Sequence, residues 1–188
     1  MGTPDFAVPS LKKMIAAPAL QVVGVVTQPD RPKGRGNKLT PPPIKALALD
    51  SGIQVFQPQT VNSEEAYSKL KEWGPEAIVV VAFGQILKSA VLELPPLGCI
   101  NVHGSLLPKY RGAAPIHWAI INGEKTTGVT TMYMDPGMDT GDIILQEELS
   151  IGPLETIGEL HDRMAALGGK VLLATLDLLG QGKAPRRP

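Results

Sequence analysis

The chain has 188 residues, with 18 Lys and Arg against 18 Asp and Glu, 43% hydrophobic residues, 20 Gly, 18 Pro and a single Cys. A chain of this length buries about 70% of the surface its unfolded form exposes, which excludes disorder and predicts one globular domain without disulfide or metal staples. Cys99 has no partner within the chain, no secretory leader pattern opens it, and the longest apolar run, residues 77–83, falls short of the roughly 18 residues of a membrane helix. A cytoplasmic location is therefore expected and a membrane role is not.

In chain order, Met1 to Asp5 reads as the turn that follows a first strand, although no strand precedes it. Val22 to Val26 and Ala77 to Ala82 are β-branched runs without alternation, the pattern of parallel strands covered on both faces. Between them a helix is predicted near Ile44 to Leu49, a short strand at Gln54 to Phe56, and a second helix capped by Asn62 with Glu65 three residues on. Cys99 to His103 predicts a further strand, Pro115 to Asn122 a helix, and Gly128 to Met134 with Ile143 to Leu149 two strands able to pair antiparallel. Thr156 and Glu159 form a capping box for a last helix carrying Leu160, Met164, Leu167, Val171 and Leu178 at helical spacing. The alternation implies an α/β fold, a Rossmann-like, mostly parallel twisted sheet with helices on both faces. Residues 1–181 read as the domain, and 182–188 as the start of a Gly, Pro and basic linker.

The stretch from Gly98 to Pro108 carries most of the chemistry. With period-2 alternation Ile100 and Val102 face one side, while Asn101 and His103 face the other at the carboxyl end of a strand, where open α/β sheets bind ligands. An amide beside an imidazole offers two donors to a carbonyl oxygen that becomes an oxyanion. The same pair would also serve simply to satisfy loop carbonyls. Residues 135–142 add three carboxylates in a Gly- and Pro-rich loop. One of them could orient His103, and spacing does not choose between Asp135 and Asp139, while Asp142 reads as turn chemistry.

Asp30 to Lys38 sets Arg31, Lys33, Arg35 and Lys38 against one acid, a flexible basic loop suited to nucleic-acid phosphates or simply a solvated face. No Gly-x-Gly-x-x-Gly follows a strand, which disfavours dinucleotides, and no Gly-Lys-Ser/Thr follows Gly34-Arg35-Gly36. Ala82 to Leu87 would line an apolar cleft for a flat heterocycle, or merely pack a strand against a helix. His117 and His161 fall in predicted helices, and with one Cys and no His-x-x-x-His no metal site is expected. Ser105 with His103 and an Asp suggests a hydrolase, but the Gly-x-Ser-x-Gly elbow is absent.

Asn101-Val102-His103-Gly104-Ser105-Leu106-Leu107-Pro108 with Tyr110-Arg111-Gly112, followed by Asp139-Thr140-Gly141-Asp142, resembles the signature of enzymes that use 10-formyltetrahydrofolate. Met1 to Ala7 and Gln28 to Pro32 with Gly34-Arg35-Gly36 are similar to the methionyl-tRNA formyltransferase family rather than the glycinamide ribonucleotide branch. The likeness covers the whole chain as that family's N-terminal catalytic domain. It implies formyl transfer to initiator methionyl-tRNA, with Asn101, His103 and Asp139 as the catalytic residues. Folate would lie along Phe83, Gly84, Gln85, Ile86 and Leu87, along Ser105, Leu106, Leu107 and Pro108, and at Met134 and Asp135. The family's tRNA-sensing insertion would correspond to Arg31, Lys33, Arg35 and Lys38. The alternatives are a formyltetrahydrofolate hydrolase, a formyltransferase for a small-molecule amine, and a non-catalytic RNA-binding module.

Overall fold

The computed structural model describes residues 1–33 and 38–188. After a 3-10 turn at Asp5–Ala7 come α1 (Val8–Ala16), β1 (Val25–Val26), β2 (Arg31–Lys33), β3 (Lys38–Thr40), α2 (Pro43–Asp50), β4 (Val55–Phe56) and α3 (Glu64–Trp73). The chain continues through β5 (Ile78–Val80), α4 (Ser89–Leu92), β6 (Cys99–His103), α5 (Pro115–Ile121), β7 (Thr126–Tyr133), β8 (Ile143–Ser150) and α6 (Ile157–Gly180). Strand β1 pairs parallel with β4, and β5 parallel with β6. Strands β7 and β8 extend the second group antiparallel. Met1 and Gly2 stand between the two groups: the Gly2 amide donates to the Val26 carbonyl at 3.1 Å, and the Val81 amide to the Met1 carbonyl at 2.9 Å.

Successive strand residues point to opposite faces, and the core divides accordingly. Val25, Val79, Val81 and Val102 pack with α1, α2 and α6, while Val26, Ile78, Val80 and Cys99 pack with α3 and α4. The result is a Rossmann-like α/β layer structure with a mixed sheet and helices on both faces.

Several local expectations change. The strand expected over Val22 to Val26 is realised only at Val25–Val26. A ladder needs a flanking partner, and residues 22–24 instead line an apolar cavity of about 690 Å³ shared with residues 77–79. The cap of α3 is Ser63, whose hydroxyl accepts from the Ala66 amide. Asn62 is displaced from capping because its side chain donates to the Ile86 carbonyl and accepts from the Lys88 amide, both at 2.8 Å. The flanks of the expected flexible basic loop are an antiparallel ladder, Arg31 opposite Thr40 and Lys33 opposite Lys38. Helices α1 and α4 have no counterpart in the sequence reading. The capping box of α6 forms as expected: Thr156 accepts from the Glu159 amide and Glu159 from the Thr156 amide, a device worth about 1 kcal/mol. Near the carboxyl end, Arg187 exchanges main-chain bonds with Ile143 at the start of β8.

Cys99 is buried, with its sulfur 3.7 Å from the Val91 and Leu92 carbonyl oxygens. Burial pushes its thiol up to about 12, so the thiolate that reacts with labels is scarce in the folded protein. Labelling at pH 8 is expected to proceed only after denaturant is added. Rapid labelling of folded protein would show that β6 opens locally.

Candidate active site

Strand β6 has the composition of a strand covered on both sides, and its register fixes what faces where. Ile100 and Val102 turn into the core beside α6, which leaves Asn101 and His103 together on the opposite face. His103 is 6% exposed, and Asn101 is half-buried. Two parallel strands end nearby, and their loops are tied together: Gln28, beyond β1, donates to the Phe83 carbonyl at 3.2 Å, and Thr3 donates to the same oxygen at 3.1 Å. The site therefore sits at the carboxyl edge of the parallel strands, the usual ligand edge of such sheets.

The loop between β7 and β8 brings in Asp139. Its residue adopts φ +53°, a left-handed conformation that Asp tolerates better than most side chains. One carboxylate oxygen accepts from Asn101 Nδ2 at 3.3 Å, and the other accepts from the Gly112 amide at 2.8 Å. The second oxygen also lies 3.5 Å from His103 Nδ1. On its far side the imidazole meets the Tyr110 carbonyl at 2.9 Å through Nε2. A carbonyl only accepts, so Nε2 carries a proton and Nδ1 is the ring atom facing Asp139. The 3.5 Å separation is an ion-pair distance rather than a short hydrogen bond, which leaves Nδ1 open to a further partner. Asn101 likewise has a second amide hydrogen beyond the one given to Asp139.

The other carboxylates of the loop do different work. Asp135 accepts from the Gly137 amide at 3.0 Å and from the Thr140 hydroxyl at 2.8 Å, which shapes the turn. A Cβ on Gly137 would fall on the Thr140 hydroxyl, and one on Gly141 on the Tyr133 carbonyl oxygen, so this tight path requires glycine at both. The Met134 amide docks the loop on the Cys99 carbonyl at 2.8 Å. Asp142 pairs with the exposed Arg186 at 3.4 Å.

Ser105 is fully buried and its hydroxyl donates to the Lys109 carbonyl at 2.6 Å. A hydroxyl so committed is a turn-maker rather than a nucleophile. Thr130, opposite His103 in the β6–β7 register, donates to the Ser105 carbonyl at 2.7 Å and accepts from the Leu107 amide at 3.1 Å. Gln146 on β8 donates to the Leu107 carbonyl at 2.9 Å. These two supports of the Ser105 to Pro108 turn are absent from the sequence reading, which pairs no strand opposite His103. Leu106 closes against Gly128, where a Cβ would strike both Leu106 and the Glu147 carbonyl.

Along residues 83–87, Phe83 and Leu87 are buried in the core, while Ile86 is exposed. Gly84 is left-handed at φ +81°, and Gln85 is held by accepting from the Val61 amide at 2.7 Å. The antiparallel β2–β3 ladder is anchored at its Asp30 end. Asp30 bonds Lys45 and Gln57, each at 2.8 Å, and the Gln57 amide followed by the Lys45 ammonium holds its carboxyl below the ordinary range. Arg31 is exposed and reaches Gln28 at 3.4 Å. Arg35 lies outside the described residues, and of Lys33 and Lys38 the main chain is described. His117 is exposed, and His161 packs edge-on to Phe6 and bonds Asp162. Among the described residues no group of three or more His, Cys, Asp or Glu could hold a metal ion, and no helix is long and apolar enough to cross a membrane.

The sheet and the Asn101–Asp139–His103 cluster define an α/β enzyme whose side chains suit attack at a carbonyl carbon. The chain belongs to the formyl transferase family, whose model matches residues 1–176. It is 60% identical over 188 residues to a methionyl-tRNA formyltransferase of Desulforamulus reducens, covering 100% of this chain and 59% of that protein. The chain thus spans about three-fifths of the length of that relative. Among solved structures it resembles glycinamide ribonucleotide transformylase 1 from Symbiobacterium toebii, with TM-score 0.80 and 19% identity over 99% of this chain and 89% of that one. It also resembles phosphoribosylglycinamide formyltransferase from Bacillus halodurans, with TM-score 0.78 and 27% identity over 96% of this chain and 94% of that one.

Proposed function

We propose that residues 1–181 form the catalytic unit of a cytoplasmic methionyl-tRNA formyltransferase. It moves the formyl group of 10-formyltetrahydrofolate to the α-amine of methionine carried by initiator tRNA. The observation that carries the reading is the mutual contact of Asn101, His103 and Asp139 at the carboxyl edge of the sheet. The 60% identical relative favours tRNA as acceptor over glycinamide ribonucleotide.

In the reaction the amine nitrogen forms a bond to the formyl carbon, and the carbonyl oxygen becomes an oxyanion. Asn101 Nδ2 and protonated His103 Nδ1 supply hydrogen bonds that strengthen as that charge develops. The bond from carbon to folate N10 then breaks, and the proton lost by the amine goes to N10. Asp139 orients the His103 ring and, through water, relays that proton. The folate would lie along Phe83 to Leu87, the Ser105 to Pro108 turn and Met134 to Asp135, with Gly84 and Ile86 the exposed parts of the first segment. No step uses a metal. An assay offering charged initiator tRNA, glycinamide ribonucleotide and water as alternative formyl acceptors tests the proposal. Transfer to water or to the small amine alone would overturn it.

The basic segment from Arg31 to Lys38 supplies a second measurement. If Arg31, Lys33, Arg35 and Lys38 contact phosphates, each contact releases counterions, so tRNA affinity falls steeply with salt while folate affinity does not. Arg31→Ala and Arg35→Ala should each flatten the log–log salt dependence by about 0.7 to 0.9. Unchanged slopes in both would make the basic segment a solvated face.

A further inference from the structure

Tyr110 occupies a backbone conformation that its side chain does not favour. Its φ is +58°, in the left-handed region where a bulky residue is uncommon and persists only when its surroundings over-determine it. Those surroundings are specific. The phenol hydroxyl donates to Glu124 at 2.7 Å and accepts from Asn122 Nδ2 at 3.0 Å. Lys109 closes on the same Glu124 oxygen at 3.1 Å, and the Lys109 carbonyl is itself fixed by Ser105 at 2.6 Å. The end of α5 and the turn after it therefore grip Tyr110 by its far end. The grip leaves its carbonyl oxygen 2.9 Å from His103 Nε2.

That carbonyl decides which ring nitrogen of His103 is free to react. With Nε2–H committed to the Tyr110 carbonyl, the ring is turned so that Nδ1 faces Asp139, and Nδ1 is the one ring atom at which a second proton can sit. Without the carbonyl, nothing anchors the Nε2 edge of the ring, and a neutral ring can place its single proton on Nδ1 and turn to donate it to Asp139, which takes that N–H away from the reacting oxygen. The geometry points to Tyr110 as a positioning residue for formyl transfer: anchored on Glu124 and Asn122, it holds its own carbonyl on His103 Nε2 and so commits Nδ1 to the reacting oxygen. The role in transfer rests on the function proposed above, whereas the ring tautomer is measurable without it.

Nitrogen-15 NMR of the histidine side chains in the 188-residue chain tests the inference, with the His103 signals assigned by their loss in His103→Gln. The neutral wild-type ring should be the Nε2–H tautomer. Tyr110→Phe and Glu124→Ala should both shift it toward Nδ1–H, while Glu124→Gln, which keeps a carbonyl acceptor for the phenol, should not. In transfer assays the first two variants should lose on the order of 10-fold in kcat with KM for the formyl donor unchanged, as expected for a misplaced reacting group. A ring that stays Nε2–H in both Tyr110→Phe and Glu124→Ala overturns the inference, as does a shifted ring with undiminished kcat. If the substitutions shift the tautomer while the wild-type chain transfers no formyl group, the grip on His103 stands and the proposed function falls instead.

Discussion

Asn101→Ala and His103→Ala are each expected to lower formyl transfer by about 10²-fold or more, the usual consequence of losing one donor to a developing oxyanion. The two substitutions remove different things. Asn101→Ala takes away a neutral amide that also bonds one oxygen of Asp139 at 3.3 Å. Asp139 keeps its other anchor after that loss, because the Gly112 amide still donates to its second oxygen at 2.8 Å. His103→Ala removes the group that faces Asp139 and leaves the Tyr110 carbonyl without its ring partner. A fully buried acceptor left without a partner costs roughly 1–3 kcal/mol, which is an upper bound for the half-buried Tyr110. Against a typical stability of about 5–15 kcal/mol this still leaves a folded protein. Single-turnover transfer to charged initiator tRNA, with thermal unfolding as the control, separates the chemical loss from the structural one. Activity within a few-fold of wild type in either variant would take that residue out of the mechanism.

The sequence legibly encodes the parts of the site that depend on short-range periodicity. Period-2 alternation over Cys99 to His103 is enough to place Asn101 and His103 side by side, and the structure has them on one face of β6. The box at Thr156 and Glu159 is equally local, since both partners lie within one helical turn. Asn62 shows where such reasoning stops. It matches the helix-start pattern, but its amide is claimed by the Ile86 to Lys88 segment, distant in sequence, and the cap passes to Ser63. The basic stretch shows the same limit, because its Gly, Pro and Lys content reads as loop whereas Arg31 to Lys33 and Lys38 to Thr40 satisfy their main chain by pairing.

Long-range main-chain contacts are invisible to pattern. Tyr110 acts on His103 through a carbonyl, which every residue possesses, and only its left-handed φ marks it as unusual. Thr130 and Gln146 support the Ser105 to Pro108 turn from β7 and β8. Finding them requires the register of Thr130 opposite His103, which tertiary packing sets. The choice between Asp135 and Asp139 is of the same kind, since spacing allows either and the turn chemistry consumes Asp135.

Asp139→Asn is expected to lower transfer by about 10²-fold or more, while Asp142→Asn stays close to wild type. The substitution at 139 is nearly isosteric, and Asn is among the residues that accept a left-handed backbone, so φ +53° poses no obstacle to folding. What changes is the hydrogen-bond inventory. Asp139 accepts on both oxygens, from Asn101 and from the Gly112 amide, while one oxygen also faces His103 Nδ1. An asparagine has one acceptor oxygen and an NH2 group with two donor hydrogens, so either Asn101 or Gly112 meets another N–H group. It also offers no carboxylate to orient the His103 ring or to relay the amine proton. Asp142, by contrast, makes a 3.4 Å pair with the exposed Arg186, a surface contact worth about 0–1 kcal/mol, and its loss touches neither Asn101 nor His103. The comparison is made at saturating formyl donor in variants with matched thermal unfolding. A larger loss at 142 than at 139 would move the proton-handling role to the wrong end of the loop and with it the assignment of His103 Nδ1 as the atom that meets the oxyanion.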